Sequence, residues 1–296
     1  MKKRITRSRK SSFPFLSGDS FLHISDSQIL AVHSKKAVLE TLFELNDYVD
    51  KDPFTLFVEA SYLENSENLY VISDWLANTD NNVTNKSNLL IHNGDVIPDH
   101  NTMALLLSKF FRVFSVNAVP TMCGVRPLPI GLENRHHKRN GIGREFELDR
   151  ANKFKVNSKN GKTNVVFSSF STATNTFERN RLLELLNQYG YKFIKPNLSP
   201  RDYRDQVRKS QFVLSPPGNG IDCHRTWESI YLGAIPVVLR EYLHPTLVNE
   251  FPIIAVDEWE NFLSLSDEAL DELAAKYNDQ QFNAMSMHYW QRLIRG

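Results

Sequence analysis

The chain has 296 residues, 41% hydrophobic and 23% charged, so it can bury a full core and is long enough for two domains. This composition excludes a disordered or fibrous protein. The sequence has 35 basic and 34 acidic residues, so the formal net charge is only +1. We therefore expect no nucleic-acid partner. The two cysteines, Cys123 and Cys223, cannot form a disulfide framework and are typical of a reducing compartment.

The first twenty residues begin with a basic stretch, residues 1–10. No apolar segment of the length of a signal peptide or a membrane span follows it within residues 11–20. We therefore expect a cytoplasmic chain with a flexible N-terminal arm over residues 1–20. This arm could contact anionic lipid at the inner membrane surface, although a solvated terminus is the simpler explanation.

Short apolar runs alternate with amphipathic helical patterns along the rest of the chain, which predicts an α/β fold. A polar, aperiodic stretch at 133–162 indicates a crossover between an N-terminal domain, 21–150, and a C-terminal domain, 151–296. In the first domain the predicted strands are 21–24, 54–59, 88–92, 112–116 and an extended end at 127–132, and the predicted helices are 35–45, 69–77 and 102–110.

The second domain shows the same alternation more clearly. Ser199 is a predicted helix N-cap, and Gly190 and Gly233 are predicted to close helices. The predicted strands are 163–170, 191–195, 211–215, 235–239 and 253–256, and the predicted helices are 177–188, 200–210, 223–232, 267–277 and 283–294.

The most informative segment is 212–238, where a buried strand ends in a Pro/Gly turn and a helix begins a few residues later. Such a unit places backbone N–H groups and a positive helix end at the carboxyl edge of a parallel sheet, where open α/β sheets bind ligands. The loop residues Ser215, Pro217, Gly218 and Asn219 are therefore candidates to contact an anion. Alternatively, the turn only connects the strand to the helix and binds no ligand.

Arg225 and Glu228 lie three residues apart near the start of the predicted helix, so both project from one face. An arginine there can clamp a diphosphate, and a carboxylate one turn on can accept both hydroxyls of a ribose. Because cations are unfavourable at a helix start, His224 beside Arg225 also indicates an anion. The alternative is a plain helical ion pair between Arg225 and Glu228.

The run from Arg225, Arg-Thr-Trp-Glu-Ser-Ile-Tyr-Leu-Gly-Ala-Ile-Pro-Val-Val, resembles the donor-site motif of exostosin-like glycosyltransferases. The preceding Ser215-Pro-Pro-Gly matches the turn of that family, and a similar helix occurs in α1,3-fucosyltransferases. The resemblance covers roughly residues 163–259. This chain has Ala234 where the family often has Cys, and it lacks the membrane stem of the animal members.

The resemblance implies an α/β, GT-B-like fold of two Rossmann-like domains with parallel sheets facing across a cleft. It also implies transfer of a sugar from a nucleotide-sugar donor, with no separate cofactor, to a glycan or lipid-linked glycan acceptor, as in polysaccharide biosynthesis. Two alternatives are a polyol-phosphate or sugar-phosphate transferase, and a catalytically silent protein that binds a nucleotide sugar for another transferase.

A second candidate phosphate element is the Ser/Thr-rich loop 168–176, which precedes a predicted helix containing Arg179 and Arg181. Hydroxyls and free amides before a helix suit a phosphate, so Ser169 and Arg179 are donor-binding candidates. A capping loop with solvated arginines explains the same pattern.

The N-terminal domain should present the acceptor and the general base. His92 and Asp95 follow the apolar strand 89–91 and are the preferred candidates for the base. Asp26, Glu59 and Glu133 occupy similar places at strand ends. An Asp beside Gly is more often an ordinary turn residue.

Several ligand-binding motifs do not occur in the sequence. There is no Gly-x-Gly-x-x-Gly, and the Gly-Lys-Thr at 161–163 is not a complete phosphate loop, because Val156 stands where that loop has its first glycine. Both absences disfavour a nicotinamide dehydrogenase and an ordinary nucleotide triphosphatase. No convincing Asp-x-Asp pair ends a strand, and His136 and His137 lie among Lys and Arg, a poor environment for a metal. We therefore expect catalysis without a metal, in which Arg225 and helix N–H groups stabilise the leaving diphosphate.

Overall fold

The computed structural model describes residues 13–46, 54–79, 84–96, 99–137, 143–146, 162–277, 280 and 282–296. The chain forms two compact units, Met1–Ile130 with Met287–Gly296, and Gly131–Ser286. Each unit contains a parallel β-sheet with helices, which confirms the predicted α/β class. Residues 1–12 of the predicted N-terminal arm lie outside the described residues.

The first unit has a five-stranded parallel sheet in the sequential order β1-β2-β3-β4-β5. Two of its three inner strands, β2 and β3, are buried along their whole length, which explains why they appear in the sequence as mainly apolar runs. The strands are Ser27–Ile29 (β1), Thr55–Glu59 (β2), Asn88–His92 (β3), Arg112–Ser115 (β4) and Val125–Pro127 (β5). The helices are Gly18–Ile24 (α1), Lys35–Asn46 (α2), Ala60–Leu63 (α3), Ser66–Asn78 (α4) and His100–Lys109 (α5), and the C-terminal helix Met287–Arg295 belongs to the same unit.

The strand predicted at 21–24 is wrong, because these residues end helix α1. Ser17 caps this helix by accepting the backbone N–H of Ser20 at 3.2 Å. A run as short as Phe-Leu-His-Ile fits a buried helix turn as well as a buried strand, so periodicity does not separate the two. The first strand follows at β1.

The second unit has a four-stranded parallel sheet in the order β6-β7-β8-β9. Its core contains the completely buried indole rings of Trp227 and Trp259. The strands are Asn164–Phe167 (β6), Ser210–Leu214 (β7), Ile235–Leu239 (β8) and Ile254–Val256 (β9). The helices are Thr176–Gln188 (α6), Pro200–Arg208 (α7), His224–Tyr231 (α8), Pro245–Glu250 (α9), Trp259–Leu263 (α10) and Asp267–Ala275 (α11), with short 3-10 turns at Gly143–Phe146, Arg240–Tyr242 and Asn283–Met285; the C-terminal helix is α12.

Most of the predicted elements of the second unit are confirmed, including the N-cap of α7, where Ser199 accepts the N–H of Asp202 at 3.1 Å. Gly190 and Gly233 have φ angles of 75° and 77°, the left-handed conformation expected after a helix. The strand predicted at 191–195 is wrong. A backbone hydrogen bond from Ile194 to Ser168 at 2.9 Å ties this segment to the end of edge strand β6, but no ladder forms.

The division between the units falls at Ile130, before the predicted boundary at 150/151. Residues 143–146 belong with the second unit, where Glu145 pairs with Arg204 at 3.1 Å and Phe146 packs edge-on against Tyr231. Much of the predicted crossover, residues 138–142 and 147–161, lies outside the described residues. None of the helices in the described part of the chain is long and apolar enough to span a bilayer.

Candidate functional site

Two loops meet at the carboxyl edge of the second sheet. Strands β6 and β7 are parallel neighbours, so the loops that follow them, 168–175 and 215–223, leave from the same edge. The first loop leads into α6 and the second into α8. The predicted donor-binding residues therefore lie on two loops and two helix starts at one edge of one sheet.

Arg179, on α6, joins these two loops. Its side chain is buried, and the residue is only 5% exposed. Nε donates to the carbonyl oxygen of Pro217 at 2.8 Å, Nη1 to that of Ser171 at 2.7 Å, and Nη2 to that of Pro216 at 3.4 Å. Arg179 therefore holds the Pro-Pro turn against the first loop.

The turn packs tightly against Arg179 at Gly218, so an added side chain there would require the guanidinium to shift slightly. A β-carbon at Gly218 would lie 3.1 Å from Nη2 of Arg179. The Nδ2 group of Asn175, the N-cap of α6, also donates to the carbonyl of Gly218 at 3.4 Å. Of the other turn residues, Pro217 is buried and Asn219 is exposed.

Ser215 and Ser169 are buried at the ends of the two strands. The hydroxyl of Ser215 lies 2.9 Å from Oγ1 of Thr226 and 3.1 Å from Sγ of Cys223. Ser215 therefore links the end of β7 to the start of α8. Donor contacts by Ser215 and Ser169 stay predictions.

The start of α8 carries no side-chain cap. Its N-cap residue is Cys223, which makes no capping hydrogen bond. Nδ1 of His224 lies 2.7 Å from the carbonyl oxygen of Gly131. The start of a helix carries partial positive charge, so the uncapped start of α8 suits an anion.

Arg225, in the first turn of α8, is half-buried. Its Nε is buried without a hydrogen-bond partner among the described residues. The alternative of an ion pair with Glu228 finds no support, because no such pair occurs in the described part of the chain. Oε2 of the buried Glu228 instead accepts a hydrogen bond from the hydroxyl of Tyr203 at 3.0 Å.

Arg179 lies close enough to Arg225 for the charge of Arg225 to act on it. Burial, and next the charge of Arg225, lower the pKa of Arg179 to about 10. The hydrogen bonds of Arg179 go to carbonyl oxygens. Two adjacent guanidinium groups without a bonded carboxylate form a site suited to an anion of more than one charge.

Tyr203, on α7, is a site residue that the sequence did not indicate. Burial, followed by the charge of Glu228, raises its pKa well above the usual value for tyrosine. The hydroxyl therefore keeps its proton and acts as a donor. No local pattern links residue 203 to residue 228, because the contact arises from the packing of separate helices.

Arg181 does not join the two other arginines. It makes ion pairs with Glu258 and, at 3.6 Å, with Glu260. For this residue the alternative of a surface arginine is the better description.

The two candidate bases of the first unit, His92 at the end of β3 and Asp95 just after it, have different environments. His92 is buried, with Nε2 3.1 Å from the carbonyl oxygen of Pro129 and Nδ1 accepting the N–H of Asn93 at 2.8 Å. Asp95 is exposed. Asn93, just after β3, and Asn117, just after β4, have left-handed φ angles of 60° and 56°. Asparagine adopts this conformation more readily than most residues, so both positions form turns at the strand ends.

The other strand-end acids of the first unit anchor the backbone. Oδ2 of Asp26 accepts the N–H of Thr55 at 2.9 Å, and Oε2 of Glu59 accepts the N–H of Ala31 at 2.7 Å. Glu133 falls in the second unit and is half-buried. A structural role therefore accounts for Asp26 and Glu59.

No cluster of three or more His, Cys, Asp or Glu side chains that could hold a metal ion occurs within the described ranges. His136 and His137 stack with ring centroids 3.9 Å apart. Catalysis without a metal stays a prediction.

The sequence matches no protein family model and no curated protein. Among solved structures, it is similar to an alpha-glucosyltransferase in complex with UDP-glucose and DNA containing an abasic site, at 13% identity over 88% of this chain and 83% of that one, with a TM-score of 0.37. A second similar structure is an alpha-glucosyltransferase in complex with UDP and a 13-mer DNA with a central A:G mismatch, at 14% identity, 89% and 80% coverage and a TM-score of 0.39. These likenesses are too distant to carry a functional argument.

Proposed function

We propose that this protein is a glycosyltransferase that moves a sugar from a nucleotide-sugar donor to a glycan or lipid-linked glycan acceptor. The observation that carries the proposal is the pair Arg179 and Arg225. Placing the half-buried Arg225 near the buried guanidinium of Arg179 is costly unless an anion offsets their charges. The diphosphate of a nucleotide sugar carries the required charge.

The donor would lie along the carboxyl edge of the second sheet. In this proposal, Arg225 and the first N–H groups of α8 bind the diphosphate. Glu228, one turn further along the helix, accepts the ribose hydroxyls. Arg179 acts mainly through the turn 215–219, because its donors already bind carbonyl oxygens in that turn.

In the proposed reaction, an acceptor hydroxyl attacks C1 of the donor sugar. The bond between C1 and the diphosphate oxygen breaks, and the nucleoside diphosphate leaves with the electron pair. Negative charge then grows on the diphosphate, so Arg225 stabilises the transition state more than the bound donor. The acceptor proton passes to a general base.

We assign the base to Asp95 in this proposal. Its exposed carboxylate follows a buried parallel strand, whereas both ring nitrogens of His92 contact groups of the protein. His92 would then shape the strand end rather than transfer the proton. Asp95→Asn should abolish transfer while leaving the affinity for nucleoside diphosphates unchanged.

The kinship with exostosin-like glycosyltransferases is part of the same proposal. It rests on the run from Arg225 to Val238, which the structure folds as helix α8, a glycine with positive φ and strand β8. Cytoplasmic action on a polysaccharide precursor, without a metal, completes the proposed role.

A binding screen tests the donor site. Calorimetric titration of the full chain with UDP, GDP, CDP and ADP, and with their common sugar conjugates, should find one base that binds. Arg225→Ala should weaken this binding by about ten- to a hundredfold, since a charged hydrogen bond contributes about 1.5–3 kcal/mol. Failure of every nucleotide to bind the wild-type protein would contradict the proposal.

A further inference from the structure

The contact between Tyr203 and Glu228 connects two helices at the proposed donor site. The phenol hydroxyl of Tyr203 on α7 donates to Oε2 of Glu228 on α8 at 3.0 Å. The ring of Tyr203 packs edge-on against Phe167, with ring centroids 5.8 Å apart. Since Phe167 is the last residue of β6, the phenol is held against the sheet while its hydroxyl reaches the carboxylate.

Because Tyr203 keeps its proton, its hydroxyl is the donor in the hydrogen bond to Glu228. Burial raises the pKa of Tyr203 well above its usual value, and the nearby charge of Glu228 raises it further. The hydroxyl therefore stays a donor at any physiological pH, and Glu228 is always the acceptor. Such a bond restricts the rotamers of a long carboxylate side chain, which otherwise costs ordering entropy when a ligand binds.

We propose that Tyr203 is a positioning residue that holds the Glu228 carboxylate for the ribose hydroxyls and so makes the site select nucleotides that carry those hydroxyls. This inference rests on the proposed function. In this proposal, recognition of the ribose by Glu228 depends on Tyr203, a residue outside the segment 212–238. Tyr203 itself need not touch the donor.

The test compares two ligands on each protein variant. Affinities for the preferred nucleoside diphosphate and for its 2′,3′-dideoxy form are measured by calorimetry on wild type, Tyr203→Phe, Glu228→Ala and the double variant. Tyr203→Phe should weaken binding of the ribose form about tenfold and change binding of the dideoxy form less than about twofold. In the Glu228→Ala background, where the acceptor is absent, Tyr203→Phe should have almost no further effect.

A matched control separates this role from a general loss of packing. Tyr277 lies in the same unit, and its hydroxyl donates to the carbonyl oxygen of Ile253 at 3.1 Å, so Tyr277→Phe removes a comparable bond elsewhere. It should leave the ratio of the two affinities unchanged. This ratio is taken within one sample, so partial unfolding of a variant does not alter it.

Four results would overturn the proposal, and they are distinguishable. If Tyr203→Phe weakens binding of both ligands equally, or if its effect adds fully to that of Glu228→Ala, then Tyr203 does not act through Glu228. If wild type binds both ligands equally, Glu228 does not recognise the ribose, although the diphosphate site stands. If wild type binds no nucleoside diphosphate, the proposed function falls as well.

Discussion

The guanidinium groups of Arg179 and Arg225 lie close enough that, after burial itself, the charge of Arg225 is the second cause of the lowered pKa of Arg179, about 10. One of the two, Arg179, donates to three carbonyl oxygens, whereas Nε of Arg225 has no partner within the described chain. Arg179 is therefore already committed to the protein, and Arg225 is the arginine placed to bind a ligand.

Arg225→Ala should lower kcat together with kcat/KM, because the charge that Arg225 stabilises grows as the diphosphate leaves. Glu228→Ala should instead raise the donor KM, because about 1.5–3 kcal/mol of binding free energy is lost. Steady-state kinetics with varied donor separates the two effects.

A matched arginine controls for the loss of positive charge. The side chain of Arg201 is 88% exposed, and its Nε lies 4.0 Å from Oδ2 of Asp205. Arg201→Ala should therefore leave kcat and donor KM unchanged within about twofold. If it reduced activity as much as Arg225→Ala, a general electrostatic effect would explain both.

Arg179→Lys should destabilise the second unit although the charge is kept. An ammonium group cannot reproduce the planar set of donors that reaches the carbonyls of Pro216, Pro217 and Ser171. We expect a loss of about 2–4 kcal/mol in unfolding free energy, measured by urea titration, because buried carbonyls lose their partners. Unchanged stability would show that the turn holds without Arg179.

The sequence predicted the part of the site that is local along the chain. The strand, the turn and the helix that carry Ser215, Gly218 and Arg225 follow one another, so turn chemistry and helix periodicity were sufficient. A donor contact by Arg179 stays a prediction. The sequence does not indicate its bonds to Pro217, because they depend on two neighbouring strand ends. Tyr203 was missed because its bond to Glu228 depends on how α7 and α8 pack.

The errors in the fold have a similar cause. Residues 21–24 carry the apolar pattern of a buried strand, but the cap provided by Ser17 turns them into a helix. At 191–195 the apolar pattern was correctly recognised, but one backbone bond to Ser168 does not make a strand. Short apolar runs leave such choices to tertiary packing.

Transfer activity should survive chelation. The proposed stabilisation of the diphosphate comes from Arg225 and helix N–H groups, so EDTA should leave the initial rate essentially unchanged. Complete loss of activity with EDTA, followed by recovery with Mg²⁺ or Mn²⁺, would contradict this part of the mechanism.

Stability should fall in mild acid partly through His244. Nδ1 of His244 caps helix α9 by accepting the N–H of Thr246 at 3.2 Å, and burial lowers its pKa below 6.5. The unfolded chain therefore takes up a proton more readily, so the contribution is present above pH 6.5 and is lost as the pH falls towards the folded-state pKa. His244→Asn, which keeps a capping side chain, should show a smaller decrease in unfolding free energy between pH 7.5 and 5.5. An equal decrease in both proteins would exclude His244 as a cause.

The most direct test of the central claim is to identify by ³¹P NMR the products that wild type forms from the nucleotide sugar that binds. We predict release of the nucleoside diphosphate, with the sugar passed without phosphate to an acceptor or to water, and loss of this release in Arg225→Ala. Release of a nucleoside monophosphate with a phosphodiester in the acceptor would indicate a sugar-phosphate transferase. Binding with no turnover during long incubation with glycan and lipid-linked acceptors would identify a silent binding protein, and either result would contradict the account.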